Sequence, residues 1–269
     1  MRDITLRALE VLRAADAVAA EDTRVTRRLL EHHGIAARLF SLHEHNERAR
    51  ADAVARLLAA GKSVALVCDA GTPAVSDPGA RLVADLRARG FRAVPVPGPS
   101  AALAALSVSG DDAPHFLFYG FLPAKRAARR AALEALRGLG CSLVFYEAPH
   151  RVVDCVADLA DVLGPERRVT FARELTKIHE TLHSCRLGEA GAWLARERQE
   201  RGEFVLVVSG AEPAPAGADP EAERVLGLLL EELPLSRAAD LAARITGAPR
   251  KALYSRALAL RRPGKPRRV

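Results

Sequence analysis

Cys68-Asp69-Ala70-Gly71-Thr72-Pro73-Ala74-Val75-Ser76-Asp77-Pro78-Gly79 lies between an apolar run, SVALV (63–67), and a helix-patterned segment, ARLVADLRARG. A plain turn needs fewer special residues than this. Glycine lets the backbone approach another molecule closely, and proline holds a loop in one shape. The stretch leaves the C-terminal end of an expected parallel strand, where open α/β sheets bind ligands. A rigid structural connection between strand and helix is the other reading of these residues alone.

Working outward, helix and strand patterns alternate. Residues 4–15 carry Ile4, Leu6, Leu9 and Leu12 at helical spacing, and AVAA (17–20) reads as a short strand ending at Glu21-Asp22-Thr23-Arg24. Helices are expected to about Glu31 and over 46–60, then a strand at 63–68, a helix at 78–89 and a strand at 92–96. VPGPSAALAALSVSG is a second Pro/Gly loop running into a small-residue helix. FLFYGFL (116–122) starts another series: helix 125–137, strand 142–146, helix 150–162, strand 168–172, helix 188–198 and strand 203–208. Two α/β sets imply two α/β domains, 1–112 and 113–211, with a cleft between them. GAEPAPAGADPEAE is a linker, and 212–232 reads as linker and helix. Residues 235–246 and 250–261 form a helix pair around Gly247-Ala248-Pro249, so 233–269 reads as a helix-turn-helix-like domain with a basic tail.

Charge supports that division. The formal net charge is +7, but residues 250–269 hold eight basic residues, Arg250 and Lys251 among them, and no acidic one. The other 249 residues carry 32 basic against 33 acidic groups. Basicity concentrated in this way suits a nucleic-acid-binding arm, with a solvated tail as the plain alternative. Arginine outnumbers lysine 35 to 5, which draws the eye to Lys125 and Lys177, places where a tunable amine could matter. No apolar run approaches the roughly 20 residues of a membrane span, and the N-terminus has no signal-peptide pattern. The four cysteines form no C-x-x-C pair and read as reduced thiols of a cytoplasmic protein.

Several segments together carry a resemblance: EDTRVTRRLLEHHGI, SLHEHNE, VCDAGTPAVSDPGARLV, VPVPGPSAALAALSVSG, FYGFLP, FYEAPHR, ARELTKIHE and GEFVLVVSG. In this order they resemble the RsmI family, bacterial 16S rRNA (cytidine-2′-O)-methyltransferases of the tetrapyrrole-methylase superfamily, from Asp3 to about Arg262. The resemblance implies S-adenosyl-L-methionine (AdoMet) bound in the cleft of a homodimer. The Ala70-Gly71-Thr72-Pro73 loop would wrap it with Val75 nearby, and Gly98, Ser100 and Ala101 would form the other wall. The implied partner is 16S rRNA of the small subunit, methylated near the decoding centre. Glu21, Asp22, Arg24, Glu44, Asn46, Glu147 and Arg151 are expected on the substrate side, with Arg250 and Lys251 in the terminal domain.

Such relatives begin with an apolar strand and a TPIGN-like loop, whereas nothing here precedes Met1. The expectation is a start assigned too far downstream rather than a truncated, impaired protein.

Methyl transfer to a ribose hydroxyl needs positioning and modest help with one proton. Glu21, Asp22, His43, Glu44, Glu174 and Lys177 are the candidates. Lys177, if partly desolvated, could act as the base, with Glu174 or His43 next in line. An ion pair between Glu174 and Lys177 is the competing reading, as is a plain helix cap at Glu21–Arg24. His43 and His45 lie two apart and His179 and His183 four apart, but no longer metal motif accompanies them, so no metal is expected. A tetrapyrrole methyltransferase would share the cofactor loops without needing the helix pair. A non-catalytic RNA-binding protein is the third possibility.

Overall fold

A computed structural model describes residues 1–43, 46–197, 201–212 and 220–260. The chain divides into two compact units, Met1–Ala211 and Glu212–Val269.

The first unit begins with α1 (Leu6–Ala14), β1 (Ala17–Ala20), α2 (Thr23–His32), β2 (Leu39–Ser41), α3 (Glu47–Ala59), β3 (Val64–Val67), α4 (Ala80–Ala88) and α5 (Ala101–Val108). Its strands pair in parallel in the order β2-β1-β3. β1 is buried along its whole length, as a central strand covered on both faces must be. Side chains alternate along it, so its neighbours Val18 and Ala19 serve different layers. Val18 packs with Leu9, Leu12, Leu30 and Ile35, while Ala19 packs with Leu42, Val54, Leu82 and Leu86.

The chain continues with β4 (Phe116–Phe121), α6 (Arg126–Leu136), β5 (Ser142–Glu147), α7 (Val152–Leu163), β6 (Arg168–Arg173), β7 (Thr181–Arg186), α8 (Leu187–Glu197) and β8 (Phe204–Val208). These strands form a mixed sheet in the order β4-β5-β8-β6-β7. Leu143, Phe145, Phe171 and Leu206 face α7 residues such as Val156 and Leu159 in the largest core. The opposite face, with Val144, Ala172, Val205 and Val207, is covered by Ala102 and Ala105 of α5. This packing positions the site. α5 follows the 97–100 loop but lies on the second sheet, so that loop is carried to where the two sheets meet.

The second unit packs α9 (Pro220–Glu232), α10 (Leu235–Thr246) and α11 (Arg250–Leu260) around Leu226, Leu235, Ala238, Ala239, Ala242, Leu253 and Ala257. Gly247, at φ 74°, closes α10 in the left-handed conformation and donates its N–H to the Ala243 carbonyl.

Three local expectations change. Residues 92–96 belong to no strand, and Val94 stays 55 % exposed. β-propensity makes a strand only where a ladder partner exists. β2, three residues long, and β7, whose burial merely alternates, are real strands that apolar runs do not reveal. The tail beyond Leu260 lies outside the described residues.

Candidate active site

The loop after β3 and the loop after β1 are tied reciprocally. Glu21 Oε2 accepts from the Asp69 N–H at 3.3 Å, and Asp69 Oδ1 accepts from the Asp22 N–H at 3.2 Å. Asp22 also caps α2, accepting from the Arg24 N–H at 2.8 Å, and pairs with the Arg24 guanidinium at 2.6 Å. Those bonds from Arg24 draw its carboxyl down to about 2. The cap is therefore present, and it shares its segment with the acidic group at Glu21.

The 68–79 loop is pinned along its length. Thr72 Oγ1 donates to the Pro99 carbonyl at 3.0 Å, joining the two Pro/Gly loops. The Ala74 N–H reaches the Pro78 carbonyl at 3.2 Å, and the buried Glu47 carboxylate at the start of α3 accepts from the Gly79 N–H. Ser76 Oγ would lie 2.8 Å from a Cβ added at Gly120, so the loop reaches β4 of the second sheet. Ser100 Oγ accepts from the Leu103 N–H, capping α5, whose Ala102 N–H donates to the Tyr146 hydroxyl at 3.3 Å.

On the second sheet, Glu174 Oε1 accepts from Lys177 Nζ at 2.9 Å and from the Glu203 N–H at 2.9 Å, and Lys177 also reaches Glu203 Oε2 at 3.0 Å. Burial opposes the Lys177 charge, but the bonds to Glu174 and Glu203 outweigh it and hold the ammonium above its ordinary range. The same bond from Lys177, with the Glu203 N–H, lowers the Glu174 carboxyl. Lys177 thus sits as a cation in an ion pair.

Among the described residues, four non-glycine residues have positive φ: Ala74, Ser76, Glu174 and Thr176. All lie in these two loops. Such conformations cost of order 1–3 kcal/mol each and gather at ligand sites.

Asn46 Oδ1 accepts from the His43 N–H at 2.9 Å, and its amide nitrogen lies 3.1 Å from His43 Nε2, so this pair is internally bound. Glu44 lies outside the described residues. Glu147 and Arg151 are turned toward one another at 3.2 Å, and an Arg151 Nη2 bond at 2.6 Å ties them to the Leu122 carbonyl. In the second unit Arg250 pairs with Asp240 at 3.1 Å, and Lys251 is exposed. Sequence reasoning missed Asp69, Asp77, Glu47, Gly202 and Glu203. Asp69 and Asp77 stand in the opening stretch, and the raised density of acid, Pro and Gly there is the signal that could have found them.

The 70–75 and 98–101 loops can be tested for a methyl donor. A Cβ added at Gly71 would find only Asp77 Oδ2, at 4.0 Å, and one at Gly98 only the Val96 carbonyl oxygen, at 4.0 Å. Both glycines leave open room for a close approach. The nearby Glu21, Asp69 and Asp77 suit a positively charged sulfonium. The residues fit.

Residues 1–191 match the tetrapyrrole (corrin/porphyrin) methylases, and residues 216–261 match the RsmI C-terminal HTH domain. The chain is 49% identical over 259 residues to ribosomal RNA small subunit methyltransferase I of Escherichia coli O157:H7, covering 96% of this chain and 91% of that one. It is 51% identical to the protein of the same name from Pseudomonas aeruginosa, covering 98% and 94%.

The chain belongs to the RsmI family of tetrapyrrole methylases.

Solved structures agree on the family's fold. The methyltransferase CobJ superposes with a TM-score of 0.59 at 21% identity, covering 80% of this chain and 92% of CobJ. Cobalt precorrin-4 methyltransferase gives 0.58 at 16% identity, covering 77% and 89%. The α/β tetrapyrrole-methylase fold with a C-terminal HTH domain is thereby the architecture of this RsmI-family chain. Among the described residues no helix is long and apolar enough to cross a membrane, and no group of three or more His, Cys, Asp or Glu is placed to hold a metal ion.

Proposed function

We propose that this chain is an AdoMet-dependent methyltransferase of small-subunit ribosomal RNA. The observation that carries the reading is identity of about half over nearly the full length to proteins named ribosomal RNA small subunit methyltransferase I. The finer reading is 2′-O-methylation of a cytidine ribose in 16S rRNA, near the decoding centre, by a cytoplasmic homodimer. Residues 1–112 and 113–211 act as the two halves of the active unit, and the terminal domain serves the RNA.

When bound, the donor supplies an electrophilic methyl group on a sulfonium. The chain's task is then positioning, which supplies much of the rate of such a displacement. The 70–75 loop, fixed by Thr72, Glu47 and Gly120, offers its backbone to the donor, and the 98–101 loop offers the facing wall. Glu174 and Lys177 hold the edge where the acceptor hydroxyl is aligned.

In the second unit α11 carries Arg250, Lys251 and Arg256 and no acidic residue, while α9 carries Glu221, Glu223, Glu231 and Glu232. A helix with that polarity suits a phosphate backbone, with affinity falling steeply as salt rises.

A ribose 2′-O-methyl group blocks alkaline cleavage at its own phosphodiester. Ribosomes from a strain lacking this gene should therefore gain cleavage at one cytidine, and purified protein with AdoMet should remove it. Methyl found on the cytosine ring, or an unchanged cleavage pattern, would overturn the assignment.

A further inference from the structure

We propose that the second unit recognises an unpaired stretch of RNA, with Tyr254 of α11 stacking on one of its bases and Lys251 meeting the adjoining phosphate. This rests on the RNA-methylation reading above and names the form of RNA that the unit takes.

Tyr254 is the only aromatic residue between Glu212 and Val269. Packing does not account for it. The core of this unit is built from leucine, alanine and valine, and α11 turns Leu253 and Ala257 into it. Tyr254 lies off that face and is 38 % exposed. Helix propensity does not account for it either, since leucine or alanine would form the helix better. An exposed tyrosine offers a flat apolar ring with a polar tip.

Its neighbours suit a nucleic acid. Lys251 stands three residues before it and Leu258 four after, so the three share one exposed stripe. Leu258, 49 % exposed, extends the apolar platform. The other cations of α11 are engaged within the unit. Arg250 pairs with Asp240 of α10 at 3.1 Å, and Arg256 with Glu223 of α9 at 2.6 Å. These pairs brace α11 against its neighbours. Lys251 is exposed and, among the described residues, makes no ion pair, so its charge is turned to solvent.

The stripe also selects the kind of RNA. A helix that reads paired bases presents arginine, asparagine or glutamine to their edges in an open major groove. The major groove of an RNA duplex is too deep and narrow for that. Beyond its first turn α11 exposes Tyr254, Ser255, Leu258, Ala259 and Leu260, with Arg256 held by Glu223. Ser255 Oγ is itself turned back, donating to the Lys251 carbonyl at 3.1 Å. Few groups are left to read a base edge, but a ring is left to stack. Bases meet an aromatic face where they are unstacked, in loops, bulges and single strands. A ring beside a cation suits that target: stacking tolerates any base, and the cation follows the backbone.

The test uses the full-length protein and a single-stranded oligouridylate of about 12 nucleotides, compared with a blunt RNA duplex of the same length. Tyr254→Phe keeps the ring and should bind the single strand within about twofold of the unaltered protein, whereas Tyr254→Leu and Tyr254→Gln should bind it about 10–100-fold more weakly. Duplex affinity should change little in all three. Lys251→Gln should lower the slope of log affinity against log salt by about 0.7 on the single strand. Irradiation of a strand made with 5-iodouridine should crosslink to Tyr254, located by mass spectrometry. Melting and AdoMet affinity should be unaltered in every variant, because Tyr254 and Lys251 lie outside the core.

Unchanged single-strand affinity in Tyr254→Leu and Tyr254→Gln would overturn the stacking role. So would a loss in Tyr254→Phe equal to theirs, an equal loss on the duplex, or crosslinks that avoid Tyr254. Methyl transfer by the unaltered protein to small-subunit RNA, measured alongside, separates the two levels. If transfer occurs, any of those outcomes overturns this inference and leaves the methylation reading standing. If no transfer occurs, the methylation reading falls, and this inference with it.

Discussion

Loop 68–79 and loop 174–180 each hold two non-glycine residues at positive φ, Ala74 and Ser76 in one, Glu174 and Thr176 in the other. They are held in place by different means. The first is fixed mainly through its own backbone: the Ala74 and Val75 N–H groups bond within the loop, Thr72 reaches the Pro99 carbonyl, and Gly79 bonds to buried Glu47. The second also has backbone bonds, from the Glu174 N–H to Glu203, the Lys177 N–H to Glu174 and the Glu180 N–H to Lys177, but residues 176–180 are exposed and its other ties are charged and polar side chains. Lys177 joins Glu174 to Glu203, Glu180 accepts from the Thr176 N–H, and Thr176 Oγ1 donates to Asp3. Backbone bonds and buried packing are hard to exchange, whereas exposed ion pairs contribute little each. The first loop should therefore be brittle and the second forgiving.

The sharpest way to break that contrast is Gly79→Val. Gly79 has φ 125°, and an added Cβ would stand 2.6 Å from Leu66 Cδ2. A left-handed conformation costs an ordinary residue roughly 1–2 kcal/mol, and overpacking adds about 1–3 kcal/mol. Chemical denaturation should show a loss of about 3 kcal/mol, accompanied by lost AdoMet binding because the Glu47 anchor moves. A loss below about 1 kcal/mol would show that the loop is pliant after all.

Gly202→Ala probes the second loop at its closest approach. Gly202 has φ 92°, and an added Cβ would stand 2.5 Å from Glu174 Cγ and 2.8 Å from its carboxyl carbon. Here the obstacle is a side chain that can swing outward. The expected loss is about 1–2 kcal/mol, mostly from the backbone conformation, with AdoMet affinity unchanged. An equal or larger loss than Gly79→Val would erase the distinction between the loops.

The same difference explains what the sequence discloses. A loop built on Pro, Gly and short polar residues announces itself, which is why 68–79 stands out by its residue types alone. AVAA shows as a strand because burial on both faces demands small or apolar residues without interruption. β7 shows no such run, since its inner positions Thr181, His183 and Cys185 alternate with exposed Leu182, Ser184 and Arg186. Residues 92–96 mislead in the opposite sense: their propensity is that of a strand, but pairing is a property of neighbours. In the site, Lys177 and Glu174 are legible as charges, yet the bond from Lys177 to Glu203 spans 26 residues and no spacing rule announces it. Asp77 is visible in the opening stretch. Its raised carboxyl comes from burial and then from the charge of Glu21, which only the fold brings near.

The smallest expected effect belongs to Lys177→Met, which keeps much of the side chain's length and removes the ammonium. Lys177 is about half exposed, at 49%, and a pair of that kind contributes roughly 0–1 kcal/mol. Because its folded pKa is raised, its contribution is present at neutral pH and is lost as pH rises past the ordinary lysine range. Glu174 behaves oppositely. Its lowered pKa stabilises the fold above the ordinary carboxylate range, and that contribution is lost as pH falls through its folded value. The stability difference between Lys177→Met and the unaltered protein should therefore be flat from about pH 6 to 9 and vanish on both sides of that window. Methyl transfer should fall by less than about tenfold, roughly 1.4 kcal/mol, since an ammonium already paired with two carboxylates cannot accept the hydroxyl proton. A fall of 10²–10⁴ with AdoMet affinity intact would make Lys177 the base, and the forgiving loop the chemical one.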